Sequence, residues 1–310
     1  MRNIQKLFLF IIIPTIIISG CGQGGNKITE TTTAGNIKIY VDESYQLLLD
    51  TEIYTFQSLY KYAKINPTYK PEGLLIKDFM NDSVRTIVIN RKLTKNEEDV
   101  LKSKSIIPRI TRVAYDALAF IINNNNHDSL LNYKQIEDIF NGNLNQWKQI
   151  NQKTLLKDMV VVFDNNNSGN VRYIKEKFNI KQSFPANCFA VNSNQEVINY
   201  VEKNENALGI ISVNWISDSD DSVSINFMKR TKIVAIENPS SGVFTKPYQG
   251  YIAEGSYPFI RDVYMICRET FTGLGDGFIQ FVAGDQGQRI VLKSGLVPAT
   301  MPVRLIEVKR

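Results

Sequence analysis

The run Asp164-Asn165-Asn166-Asn167-Ser168-Gly169-Asn170 contains the residue types needed to hold a small anion. Ser168 offers a hydroxyl, Gly169 permits close backbone approach, and Asn170 can donate or cap. Arg172 follows two residues later. A helix starting at Val171 would add free N–H groups at its positive end. Amide, hydroxyl and guanidinium donors would then converge on one oxyanion. A plain N-cap by Ser168 explains the same residues without a ligand. Asp164 brings a carboxylate, which donates nothing while ionised.

Two further clusters follow short β-branched runs. Asp42-Glu43-Ser44-Tyr45 comes after Lys38–Val41, and Asn90-Arg91 comes after Arg85–Ile89. Open α/β sheets bind ligands beyond the carboxyl ends of their strands, which makes Ser44, Tyr45, Asn90 and Arg91 candidates beside Ser168, Gly169 and Asn170. Asp116 is a further candidate, placed inside an apolar run. Asp42, Glu43, Asp116 and Asp164 would repel an anion unless they accept its hydrogen or pair with Arg91 or Arg172. As acceptors they would select hydrogen phosphate, which carries an O–H, over sulfate, which does not. Helix capping or solvated surface charge is the competing reading for each. Tyr45, Tyr115 and Trp147 either line a cleft or pack a core or hinge.

The elements that must position these residues alternate between strand and helix. Helical spacing runs through Tyr45–Tyr62, and further helices are expected at Leu74–Met80, Glu97–Ser103, Tyr133–Phe140, Val171–Phe178, Asn194–Glu202 and Gly275–Ala283. Strands are expected at Lys38–Val41, Ile65–Lys70, Arg85–Ile89, Met159–Phe163, Ala207–Val213, Phe227–Ile236 and Tyr264–Cys267. Val113–Asn123 is nearly continuous in apolar residues, as a strand buried on both faces should be. The alternation predicts an α/β fold with a mostly parallel sheet.

Composition narrows the function. The 310-residue chain carries a formal net charge of +5 and one histidine. No basic run or stripe appears, which argues against a nucleic-acid partner. His127 lies in a polar loop, so neither a Ser-His-Asp triad nor a His/Cys metal site finds its parts, and no cofactor is implied. Asp218-Ser219-Asp220-Asp221-Ser222 lacks the glycine and closing glutamate of a calcium loop. Cys188 and Cys267 are either two thiols or a disulfide. Arg2 and Lys6, the apolar stretch Leu7–Ile18 and Ser19-Gly20-Cys21 form a secretory signal, residues 1–20. Its end resembles the lipobox of bacterial lipoproteins, which would make Cys21 a lipidated N-terminus and the membrane a partner through that anchor. Residues 21–35, rich in Gly, Thr and Asn, are expected as a flexible tether.

Four stretches carry a wider resemblance. They are Tyr115–Asn123; Ile139-Phe140-Asn141-Gly142 through Trp147; Val161-Val162-Phe163 through Ser168-Gly169-Asn170; and a C-terminal set comprising Tyr257-Pro258 through Tyr264, Phe278–Val282, Gly287–Ile290 and Gly295-Leu296-Val297-Pro298. In order and spacing they resemble the phosphate-binding subunit of bacterial ABC importers, within the type II periplasmic-binding-protein superfamily. The resemblance implies two lobes, 36–123 with 216–310 and 124–215, joined by crossovers near Asn123 and Trp215. It implies a monomer outside the cytoplasm that binds inorganic phosphate or a similar oxyanion and delivers it to an ABC permease and ATPase. The chain departs from the family pattern at Asp42-Glu43-Ser44-Tyr45, at Asp164, where an arginine is common, and at Asn90-Arg91, near which an aspartate is usual. Either Arg91 supplies the displaced guanidinium or the ligand is not phosphate. An anion sensor or scavenger of the same fold is the alternative role. A phosphatase is disfavoured, since no base–nucleophile pair stands out.

Overall fold

The computed structural model describes residues 30–303 except Lys157; Cys21, the signal segment and most of the expected tether lie outside the described residues. The chain begins with β1 (Ala34–Asp42), α1 (Gln46–Leu59), β2 (Tyr62–Lys70), α2 (Glu72–Met80), β3 (Thr86–Ile89), α3 (Lys95–Ser103) and the long β4 (Arg109–Asn123). It continues through β5 (Leu130–Leu131), α4 (Tyr133–Asn141), β6 (Val160–Phe163), α5 (Gly169–Lys177), β7 (Cys188–Ala190), α6 (Asn194–Lys203) and β8 (Ala207–Ser212). The return comprises α7 (Ser222–Arg230), β9 (Thr231–Ile233), β10 (Ala235–Glu237), β11 (Phe244–Thr245), α8 (Gln249–Ala253), β12 (Ile260–Cys267), α9 (Leu274–Ala283), α10 (Asp285–Lys293) and β13 (Val297–Pro298).

Local chemistry explains many of these boundaries. Thr94 and Glu97 form a capping box at α3, and Asn132 and Gln135 form another at α4. Ser168, Ser193 and Asp221 each cap the helix that follows. α1 buries Leu48, Leu49, Ile53 and Phe56 at helical spacing against the core. Gly277 in α9 lets the segment before β1 cross the helix, because a Cβ there would lie 1.9 Å from the Thr32 carbonyl oxygen.

The strands order as β2-β1-β3-β12-β4-β8-β6-β7, with β13 and β9 also on β4. β4 changes partner along its length. Arg109–Ala117 pair with β12, and Leu118–Ile122 pair with β8. At the change of partner, Leu118 N–H donates to the Phe259 carbonyl at 3.0 Å, and Tyr257 Oη–H donates to the Leu118 carbonyl at 2.7 Å. The apolar run that suggested two-sided burial is buried without interruption from Asp116 to Asn123.

Two expectations need correction. The sheet is mixed rather than mostly parallel: β12 runs antiparallel to β3 and β4, and β8 and β9 run antiparallel to β4. Phe227–Ile236 is not one strand; Phe227–Arg230 finish α7, and two short strands follow. Of these, β9 pairs with the end of β4 and β10 with β5. Cys188 and Cys267 are free thiols.

Candidate functional site

The turn after β1, the end of β3, the start of α5 and the start of α6 meet at the seam between the lobes. Asp42 anchors the first turn: its Oδ1 accepts the Ser44 N–H at 3.0 Å and its Oδ2 accepts from Asn90 Nδ2 at 3.3 Å. The Ser44 carbonyl accepts from Asn214 Nδ2 at 3.1 Å, whereas the buried Ser44 Oγ has no partner. Across the seam, Ser168 Oγ donates to Asp164 Oδ1 at 2.7 Å and accepts the Val171 N–H at 3.2 Å. The first amides of α5 have no partners within their own helix, and its positive end faces this cluster. Gly169 is the point of closest approach: a Cβ there would lie 2.0 Å from Asn90 Nδ2 and 2.9 Å from Asp42 Oδ2. Any side chain there would have to displace the Asn90 amide and the Asp42 carboxyl.

The guanidinium at the centre is Arg261, on β12. Its Nε donates to Asp116 Oδ2 at 2.8 Å, its Nη2 lies 2.7 Å from the same oxygen, and its Nη1 donates to Asn170 Oδ1 at 2.6 Å. Asp116 also accepts from Ser212 Oγ at 3.0 Å and Tyr45 Oη at 3.2 Å. Burial opposes the charge on Arg261, but Tyr45, Asp116 and Asp42 outweigh it and hold the group protonated. Sequence reasoning passed over Arg261, although it lies within the quoted C-terminal stretch. The available signal was an arginine in a strand of otherwise buried residues, which requires a carboxylate.

Arg91 lies elsewhere. It is at the rim, where Nη1 and Nη2 donate to Glu97 at 2.7 and 2.8 Å and Nε donates to Glu72 at 3.3 Å. The structure thus pairs Arg91 with Glu97 and Glu72 and puts Arg261, not Arg91, beside Asp116 and Asn170. Ser44, Tyr45, Asn90, Asp116, Ser168, Gly169 and Asn170 all belong to the seam cluster. Tyr45 is buried among them, whereas Trp147 is a core residue whose Nε1 donates to the Asn206 carbonyl at 2.9 Å. Asn194, which the sequence did not single out, ties the cluster together. Its N–H and Nδ2 donate to Glu43, and its Oδ1 accepts the Ser212 N–H at 3.0 Å.

The carboxylates are shifted in one direction. Burial raises Asp42 to about 7, with Glu72 adding to the effect and Arg261 opposing it. Burial raises Glu43 to about 8, against the donors of Asn194. Burial raises Asp164 to about 6, against Ser168 and Arg261. Near neutral pH these carboxyls can therefore either accept or donate a hydrogen. Among the described residues no group of His, Cys, Asp and Glu is placed to hold a metal ion, and no helix is long and apolar enough to cross a membrane.

The family model of the PBP superfamily domain matches residues 26–286. The chain belongs to the PBP superfamily. Its two-lobed fold is that of periplasmic binding proteins. Among PBP relatives, the phosphate-binding protein PstS of Staphylococcus saprophyticus is 22% identical over 93% of this chain and 88% of its own. The PstS of Staphylococcus epidermidis is 24% identical over 74% of this chain and 68% of its own. Two solved PBP structures share the fold. One, from Clostridium perfringens with bound phosphate, has a TM-score of 0.73 at 22% identity and covers 86% of this chain and 100% of its own. The other, an ABC-type phosphate transport receptor from Vibrio cholerae, has a TM-score of 0.65 at 19% identity, with the same coverage.

Proposed function

We propose that this PBP-superfamily chain is an extracytoplasmic solute-binding protein that closes two lobes on phosphate, or a related protonated oxyanion, and delivers it to an ABC permease driven by an ATPase. The observation that carries the reading is the meeting of α5's first turn with Arg261, sealed by the Arg261–Asn170 hydrogen bond. Ser44 Oγ, the Ser168-Gly169-Asn170 turn, Arg261 and Arg172, which also contacts Asn90, are the proposed donors. Asp42 and Asp164 are the proposed acceptors of the ligand's hydrogen. Tyr45 and Asp116 orient Arg261, and Asn90 packs against Gly169. Relatives bearing phosphate in their names support the ligand class.

The proposed first lobe is built on β1–β3, β12 and the first half of β4; the second is built on the remainder of β4 through β10. A lipidated Cys21 would anchor the protein to the membrane, and a monomer suffices, because every proposed contact comes from one chain. No covalent step is assigned. The carboxylates favour a ligand that carries hydrogens, so sulfate should bind less well than phosphate. A thermal-shift screen of the full chain against phosphate, sulfate, molybdate and small organic anions tests the reading. Phosphate should raise the melting temperature by mass action. A shift with none of these oxyanions would refute it.

A further inference from the structure

Glu72 opens α2, and its carboxylate lies between the guanidinium groups of Arg91 and Arg172. Arg172, from the second lobe, grips it with two nitrogens: Nε at 2.5 Å from Oε1 and Nη2 at 3.1 Å from Oε2. Arg91, from the first lobe, adds Nε at 3.3 Å. This fork is the geometry by which guanidinium recognises carboxylate and phosphate alike. Glu72 is 3% exposed, although it lines a groove of about 330 Å³ with Arg91, Ser168, Arg172 and Lys175. The contact is held in register by the Gly73 N–H, which donates to the Asn167 carbonyl at 2.9 Å, and by Asn90 Oδ1, which accepts from Arg172 Nη2. The acid thus spans the lobes immediately beside the Ser168 turn.

We infer that Glu72 is an affinity-setting residue: an internal counter-anion that clamps the lobes and competes with the incoming oxyanion for Arg172. The inference rests on the proposed anion-binding role and deepens it. A protein that satisfies its own arginine fork spends part of its population in a state that does not accept ligand, and apparent affinity falls by that fraction. Releasing the fork raises affinity and loosens the seam. A simple structural brace would do the reverse, weakening binding when removed.

The test uses the full chain in phosphate-free buffer, comparing wild type with Glu72→Gln. Hydrogen exchange should quicken across 71–75 and 166–173, the segments joined by the clamp. Calorimetric titration should show inorganic phosphate binding about tenfold tighter, the scale of one charge-assisted contact released. Glu97→Gln removes the same charge from Arg91 without reaching Arg172, and should leave both readouts near wild type. Glu72→Asp keeps the charge but shortens the reach, and should behave like Glu72→Gln, which guards against a misfolded variant. Unchanged exchange in both Glu72 variants, weaker phosphate binding, or an equal gain in Glu97→Gln overturns the inference. If none of the proteins takes up phosphate, the proposed function fails, while the exchange comparison still decides whether Glu72 clamps the lobes.

Discussion

Arg261 Nη1 donates to Asn170 Oδ1 at 2.6 Å, joining β12 to the first turn of α5. The same guanidinium neutralises Asp116, which is fully buried. One side chain thus serves both the fold and the site. Replacing it by Met leaves Asp116 without its cation. Stability should fall by about 3 kcal/mol, read by urea unfolding, because the remaining charge is uncompensated. Adding Asp116→Asn to Arg261→Met should recover part of that loss. No recovery would mean that the pair does not act as a unit.

Gly169 should tolerate no side chain. Gly169→Ala places a Cβ 2.0 Å from Asn90 Nδ2, so the lobes must separate or Asn90 must move. Overpacking of this kind costs about 1–3 kcal/mol, and phosphate affinity should fall roughly tenfold. Calorimetry of Gly169→Ala with full affinity would show that the seam does not close on the ligand. Ser168→Ala, which removes both the helix cap and the hydroxyl facing Asp164, should cost about 1 kcal/mol of stability.

Stability should fall as pH rises. Asp42, Glu43 and Asp164 have folded values raised to about 7, 8 and 6. The folded protein therefore binds protons more tightly than the unfolded chain. The stability they contribute is complete below the ordinary carboxylate range and is lost as pH climbs through their raised values. Acids held low, such as Glu97, lose their contribution only as pH falls below that range, so the slope is clean above pH 5. Melting temperature in phosphate-free buffer should decline from about pH 5 to 8, and the decline should flatten in Asp42→Asn. A melting temperature that rises over this interval would contradict the protonation scheme.

Glu52 offers a separate stability test. It is buried on α1, neither carboxyl oxygen has a hydrogen-bond partner, and burial raises its pKa to about 9. An unpaired buried acid is costly, so Glu52→Leu should stabilise the protein by about 1–3 kcal/mol in chemical denaturation. A loss of stability would mean that the acid satisfies a need of the core.

The locally coded features were legible in the sequence. Ser168 caps a helix three residues from its bond partner, and the apolar run through Ile122 announced a strand buried on both faces. The candidate turns at Ser44, Asn90 and Ser168 meet because strand ends converge in α/β folds. What could not be read depended on distant partners. Arg261 pairs with Asp116 across 145 positions, and Arg172 meets Glu72 across 100. Arg91 looked free because nothing local revealed that Glu97 caps α3 and folds back onto it. The antiparallel entry of β12 has no sequence signature, since strand direction depends on where the chain returns. Phe227–Arg230 read as strand because Phe227 led into the β-branched run at Thr231–Ile236, whereas Asp221 caps the helix that contains them.

Equilibrium binding of radiolabelled phosphate to the full chain, with unlabelled phosphate and sulfate as competitors, tests the oxyanion reading most directly. The expected result is one phosphate retained per chain, displaced by unlabelled phosphate, spared by equimolar sulfate and lost in Arg261→Gln. Failure to retain phosphate, or equal displacement by sulfate, would contradict it.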